Sequence, residues 1–173
     1  MACDIITKGR KLACKDSRKG VKAFYFSPFE EYNFTVVGQE IATLPVSLTD
    51  VFKYEVKGEG NKFEDVPSVD LATRTTEFKE TINMLLQKIS KETEVELKAL
   101  VFSTVVGFVE DFNGNIFVCG MTNGLDATTA PMSTDTSGFS VTLEGMESTY
   151  APLLSATAKT AFKALVSTAY VTP

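Results

Sequence analysis

The sequence predicts a mainly β fold: a two-sheet β-sandwich or barrel with one packed α-helix and a C-terminal helical segment, α+β overall. Three stretches carry that expectation. Residues 105–120 read VVGFVED, then Phe112-Asn113-Gly114-Asn115, then IFVCG. Asn-Gly reaches the positive φ angles of a tight type I′ turn, and β-branched and aromatic residues flank it on both sides. Residues 139–144 alternate apolar and polar without a break, as a strand with one dry and one wet face does. Residues 76–86 alternate likewise, with Phe78, Ile82, Met84 and Leu86 on one side and Glu77, Lys79, Thr81 and Asn83 on the other. Glu80 interrupts the apolar side.

Taken in order, the chain opens with a basic arm. Residues 1–22 hold seven basic and two acidic side chains, a net +5, and the remaining 151 residues hold ten basic and twenty acidic ones, a net −10. Lys8, Arg10, Lys11, Lys15, Arg18 and Lys19 in that arm are candidate contacts to the acidic face of a neighbouring copy. The alternative is a nucleic-acid-binding arm, which the absence of interleaved aromatics makes the weaker reading. Val21-Lys22-Ala23-Phe24-Tyr25-Phe26 reads as a first strand stopped by Ser27-Pro28, because proline gives no N–H to a sheet ladder. Residues 33–37 and 51–56 are further strands, the latter with Phe52, Tyr54 and Val56 facing one way and Lys53, Glu55 and Lys57 the other. Residues 57–74, rich in glycine and charge, read as a long polar loop of the kind that orders against a partner.

Beyond the strand at 76–86, Ser90 offers an N-cap to a short helix with Glu92, Glu94 and Glu96 in its early turns and Leu97, Leu100 and Val101 facing inward. The hairpin follows, then a Thr/Ser-rich stretch over 122–137, then the strand at 139–145. Ala158, Phe162, Leu165, Val166 and Ala169 fall at helical spacing, so residues 156–169 read as an amphipathic helix begun at Ser155.

Length, composition and missing residue types bound the function. At 173 residues, with 44% apolar and 23% charged side chains, the chain forms a folded domain with a sizeable core. It contains no histidine, so the usual general base near neutral pH is lacking. Nucleophile-elbow, phosphate-loop and dinucleotide glycine patterns are absent. Glu110 and Asp111 border the hairpin turn, but strand neighbours point to opposite faces, so they read as solvated acids rather than a catalytic pair. Cys3, Cys14 and Cys119 form no C-x-x-C pair and read as small buried or half-buried thiols. Enzymatic activity, cofactors and a metal site are therefore not expected. No stretch approaches the roughly 20 apolar residues that cross a bilayer, and the N-terminus lacks the apolar core of a secretory signal, so no membrane contact is expected and folding in a cytoplasm is.

Several segments resemble a known family. The opening M-A-C-D with Gly9-Arg10 and Cys14-Lys15-Asp16, the strand–helix–hairpin block with its V-E-D-x-N-G-N turn at 109–115, Asn123-Gly124-Leu125-Asp126, and the run GFSVTLEGME at 138–147 are similar to tailed-bacteriophage tail tube proteins. The likeness covers the arm and roughly residues 75–147. It implies a structural virion protein whose hexameric rings stack into a hollow DNA conduit, assembled in the host cytoplasm and resident in the virion tail. Its partners would be further copies of itself, other tail proteins and, transiently and non-specifically, genomic DNA. The implied organisation is an arm at 1–22, a tube-type domain at 23–149 and a C-terminal extension at 150–173. Within it, Glu59, Asn61, Lys62, Phe63, Glu64 and Asp65 are candidate inter-ring loop residues. Glu77, Lys79, Thr81 and Asn83, or Ser140, Thr142 and Glu144, are candidate rows facing an acidic lumen. A head–tail connector, a tail terminator or another ring protein is the nearest alternative within that class.

Overall fold

The computed structural model describes residues 8–10, 12 and 15–170. Its innermost strand is β1 (Val21–Pro28), buried from Ala23 to Ser27 without alternation. Consecutive apolar residues suit a strand only where layers pack on both of its faces. Ala23 and Tyr25 enter one core, while Phe24 and Phe26 enter the other. β1 pairs antiparallel with β4 (Phe52–Glu55) on one side and with β7 (Val105–Asp111) on the other. β8 (Ile116–Cys119), β12 (Leu153–Leu154), β3 (Glu40–Thr43) and β2 (Thr35–Val37) continue beyond β7, completing a seven-stranded sheet.

The second sheet is built around β6 (Thr75–Gln87), flanked by β5 (Lys62–Asp70) and β11 (Gly138–Glu147). Two short strands, β9 (Asp126–Thr129) and β10 (Met132–Ser133), pair with the far side of β11. The chain is thus mainly β, in two sheets with two helices. The sheets enclose Phe24, Phe26, Ile82, Met84, Val105, Val109, Leu125, Val141 and Leu143. They approach closely at Gly107, where an added Cβ would come within 2.8 Å of Leu125 and 3.1 Å of Ile82.

Helix α1 (Lys91–Phe102) starts as expected: the Ser90 hydroxyl accepts the Thr93 N–H at 3.2 Å, and Leu97 and Leu100 are buried in the inter-sheet core. Val101 is left largely exposed. Helix α2 (Ala156–Leu165), capped by Ser155, sets Ala158 and Phe162 on the opposite face of the seven-stranded sheet. There Phe162 meets the rings of Tyr25 and Phe108, with centroids 5.2 and 4.6 Å apart. Three layers result: the smaller sheet, the larger sheet, and α2 with part of the 29–51 segment.

Five expectations are corrected. Residues 57–74 are not a long loop, because β5 occupies most of them and pairs with β6 continuously from Lys62↔Asn83 to Asp70↔Thr75. β5 is an edge strand, the setting in which Pro67 needs no ladder partner for its missing N–H. The tail helix stops at Leu165 because the next backbone is drawn to the larger sheet: Val166 bridges Val51, and the Ser167 N–H bonds to the Val51 carbonyl. With β12 inserted between β3 and β8, residues 150–166 belong to the body rather than forming an appended extension.

The hairpin turn is also not type I′. Gly114 has φ 80° but Asn113 does not reach positive φ, and the loop is three residues long, closed by Asp111 N–H to Asn115 at 3.0 Å. A type I turn followed by a left-handed glycine is the ordinary solution for that length. The Asp111 carboxylate secures it by accepting the N–H groups of Asn113 and Asn115, each at 2.8 Å. Glu110, finally, is not solvated: only 3% of its side chain is exposed. It accepts from Tyr25 Oη at 2.6 Å and Lys22 Nζ at 2.8 Å, with Lys163 at 3.9 Å. Burial alone would raise its carboxyl, but these partners outweigh it and hold the group below the usual carboxylate range.

Because Phe162 is fully buried among aromatic rings, Phe162→Ala should cost about 3–5 kcal/mol in urea unfolding. A loss under about 1 kcal/mol would place α2 outside the cooperative core.

Candidate assembly surface

Of the four sheet faces, the two inner ones pack together and the outer face of the larger sheet is covered by α2 and its neighbours. The outer face of the smaller sheet is left uncovered. Register places both candidate lumen rows there, side by side: Thr142 lies opposite Asn83 and Glu144 opposite Thr81. Thr142 Oγ1 donates to Asn83 at 3.0 Å, and Lys79 pairs with Glu144 at 2.8 Å. Lys62 and Glu64 extend the surface onto β5, paired at 3.0 Å. Ser140 is exposed on this face, and Glu77 lies farther out along β6. Among these residues two lysines, each matched to a carboxylate, stand with three glutamates, so the face carries a net negative charge.

The former loop candidates divide. Glu59 is exposed, as are Lys62 and Glu64. Asn61 is buried and serves the fold, accepting the Leu85 N–H at 2.8 Å and donating to the Gly58 carbonyl at 3.2 Å. Phe63 packs on Phe117 at 5.8 Å. Asp65 is half-buried, and its Oδ2 accepts the Ala151 N–H at 2.8 Å.

The projecting feature is the distal part of the β5–β6 ribbon, residues 66–77, every one of which is exposed. Val66, Val69 and Leu71 are 55%, 60% and 79% exposed there. A two-stranded ribbon is at best marginally stable by itself in water. Where the ribbon meets the body, Phe78 packs edge-on against Tyr150 at 4.5 Å, and three acids anchor neighbouring backbone. Glu80 accepts the Gly120 N–H at 2.7 Å, and Glu147 accepts those of Thr122 at 2.7 Å and Asn123 at 3.2 Å. Burial, reinforced by the charges of Glu147 and Asp65, pushes the Glu80 carboxyl up to about 8. Sequence signalled this residue only as a break in an apolar row.

The arm candidates Lys8, Arg10, Lys15, Arg18 and Lys19 are all exposed, and none forms an ion pair among the described residues. Lys11 lies outside the described residues, as do Cys3, Cys14 and residues 1–4. The arm is fastened where it reaches the body: Asn113 accepts the Arg18 N–H at 2.8 Å and donates to the Arg18 carbonyl at 2.9 Å. A side-chain amide thus stands in for a strand partner, a clip that nothing in the local pattern signals beyond the turn preference of Asn113.

Cys119 is a free, buried thiol whose pKa burial and nearby acids raise. Among the described residues, no three Cys, Asp or Glu side chains are grouped to hold a metal ion, and no helix is long and apolar enough to cross a membrane. Comparisons of the chain with protein-family models, curated proteins and solved structures each found no match.

Two exposed hydrogen bonds hold the arm, together worth about 1–3 kcal/mol. Asn113→Ala should therefore speed trypsin cleavage after Arg18 and Lys19 by about tenfold. An unchanged cleavage rate would show that the clip does not restrain the arm.

Proposed function

We propose that this chain is a self-assembling structural subunit of a phage tail tube, forming rings that stack into a conduit for DNA. The observation that carries the reading is the β5–β6 ribbon, which extends a continuous ladder into solvent and ends in exposed Val69 and Leu71. An exposed apolar ribbon is unfavourable for an isolated protein and favourable once a second copy covers it. Strands β2, β4 and β5 lie at sheet edges, and joining them to neighbours would remove edges that otherwise invite aggregation. The exposed cations Lys8, Arg10, Lys15, Arg18 and Lys19 of the arm supply an attachment of opposite charge to the acidic body.

The uncovered face of the smaller sheet would line the channel. Its lysines are already matched to glutamates, so it offers few free cations for phosphate neutralisation and lets DNA pass with little adhesion. The same surfaces would serve a connector or terminator, which stops at one ring where a tube protein continues to grow. A nucleic-acid module is the second reading, favoured by the exposed basic side chains from Lys8 to Lys19 that pair with no acid among the described residues, and it requires salt-sensitive DNA binding that deletion of residues 1–22 abolishes.

Sedimentation velocity tests the proposal. Wild-type protein should sediment as rings or polymers, and Leu71→Asp, at an exposed position that spares the fold, should weaken association by about tenfold or more. A wild type that remains monomeric at high concentration contradicts the proposal, as does a variant that assembles equally well.

A further inference from the structure

Asp65 and Glu80 face each other across the β5–β6 ladder where the ribbon leaves the sandwich. Directly opposed residues on one face of an antiparallel pair have Cβ atoms about 5 Å apart. On the other flank of Glu80 stands Gly145, where any Cβ would strike Leu125 at 2.7 Å and the Gly124 carbonyl at 2.8 Å. The Glu80 side chain is only 1% exposed, so it can neither leave nor hydrate. Its Oε2 is occupied by the Gly120 N–H, and Asp65 Oδ2 by the Ala151 N–H. Asp65 Oδ1 is buried with no hydrogen-bond partner.

Two ionised carboxylates cannot satisfy that atom, because each only accepts; a protonated one donates. The groups acting on Glu80 supply no counter-charge. Asp65 faces it from β5 and Glu147 from β11, while the Cys119 thiol lies alongside on β8. The Tyr150 phenol ring sits against Phe78, one step outward, and Lys79 points to the opposite face toward Glu144.

We propose that Glu80 and Asp65 share one proton, and that this proton docks the base of the projecting ribbon onto the segments around Gly120 and Ala151. Losing it leaves two like charges and an orphaned oxygen at the junction, so the ribbon is released from the body. The device needs only the fold and is independent of what the ribbon binds.

The sign follows from linkage. Docked, Glu80 keeps its proton up to about 8; undocked in water it ionises near the ordinary glutamate value of about 4.3. Undocking therefore releases a proton between those limits, and its equilibrium constant rises about tenfold per pH unit before levelling above about pH 8.

Hydrogen exchange on the full chain reads this directly, with intrinsic rates divided out. Opening constants at Gly120, Ala151 and residues 66–79 should rise about tenfold per unit between about pH 5.5 and 7.5. In Glu80→Gln, whose amide keeps a donor for Asp65 and an acceptor for Gly120, they should stay flat. Opening constants at Phe108 and Val109 in the core should be at least about tenfold smaller, marking the event as local. Flat wild-type constants, an equal slope in the variant, or equal constants in the core each overturn the proposal. Should Glu80→Gln not fold, carbon-13 titration of the wild-type Glu80 carboxyl decides: a midpoint near 8 supports the shared proton, and one in the ordinary carboxylate range overturns it.

Discussion

The double burial of β1 sets the layering of the whole molecule. Because Phe24 and Phe26 face one way and Ala23 and Tyr25 the other, the larger sheet must be covered on both sides. The smaller sheet covers one, and α2 with the Tyr32–Leu48 neighbourhood covers the other. The apolar faces of the two sheets' central strands are consumed in this arrangement. What remains for other molecules is the polar outer face of the smaller sheet, the strand edges, the projecting ribbon and the arm. These are surfaces suited to repeated lateral and axial contact, and the proposal of a tube subunit rests on that distribution.

Two buried glutamates show how strongly local partners decide charge in one fold. Glu110 and Glu80 are similarly shielded from water, at 3% and 1% exposure. Glu110 faces Lys22, Lys163 and the Tyr25 hydroxyl, which hold its carboxyl below the usual carboxylate range despite its burial. Glu80 faces only other acids and a backbone N–H, and holds a proton near neutrality. The first ties the arm-proximal end of β1 to α2. The second sits under the ribbon, where its proton ties the anchoring of that exposed element to pH.

Legibility in the sequence followed alternation, turn residues and caps. β6 and β11 were readable because apolar residues recur at every second position, the β7–β8 hairpin because β-branched and aromatic runs flank Asn113-Gly114, and α1 because Ser90 precedes a turn rich in glutamate. The two polar rows on β6 and β11 were found, though their sharing one face required the register. β5 was missed for a physical reason: its inner face carries Phe63, Asp65 and Pro67, while Val66 and Val69 stand exposed. An acid and a proline erase the period-two signal, and only the continuous ladder with β6 makes the segment a strand. β12, two residues long, had no period to read. The end of α2 depended on a bridge to Val51 that lies more than a hundred residues away, beyond the reach of local pattern.

The central claim is that the exposed ribbon, edges and arm exist to meet further copies of the same chain. Negative-stain electron microscopy of the purified protein tests it most directly. Rings with a central opening, or stacks of them forming hollow tubes, are the expected result. A field of separate, uniform monomers at a concentration where rings would form would contradict it.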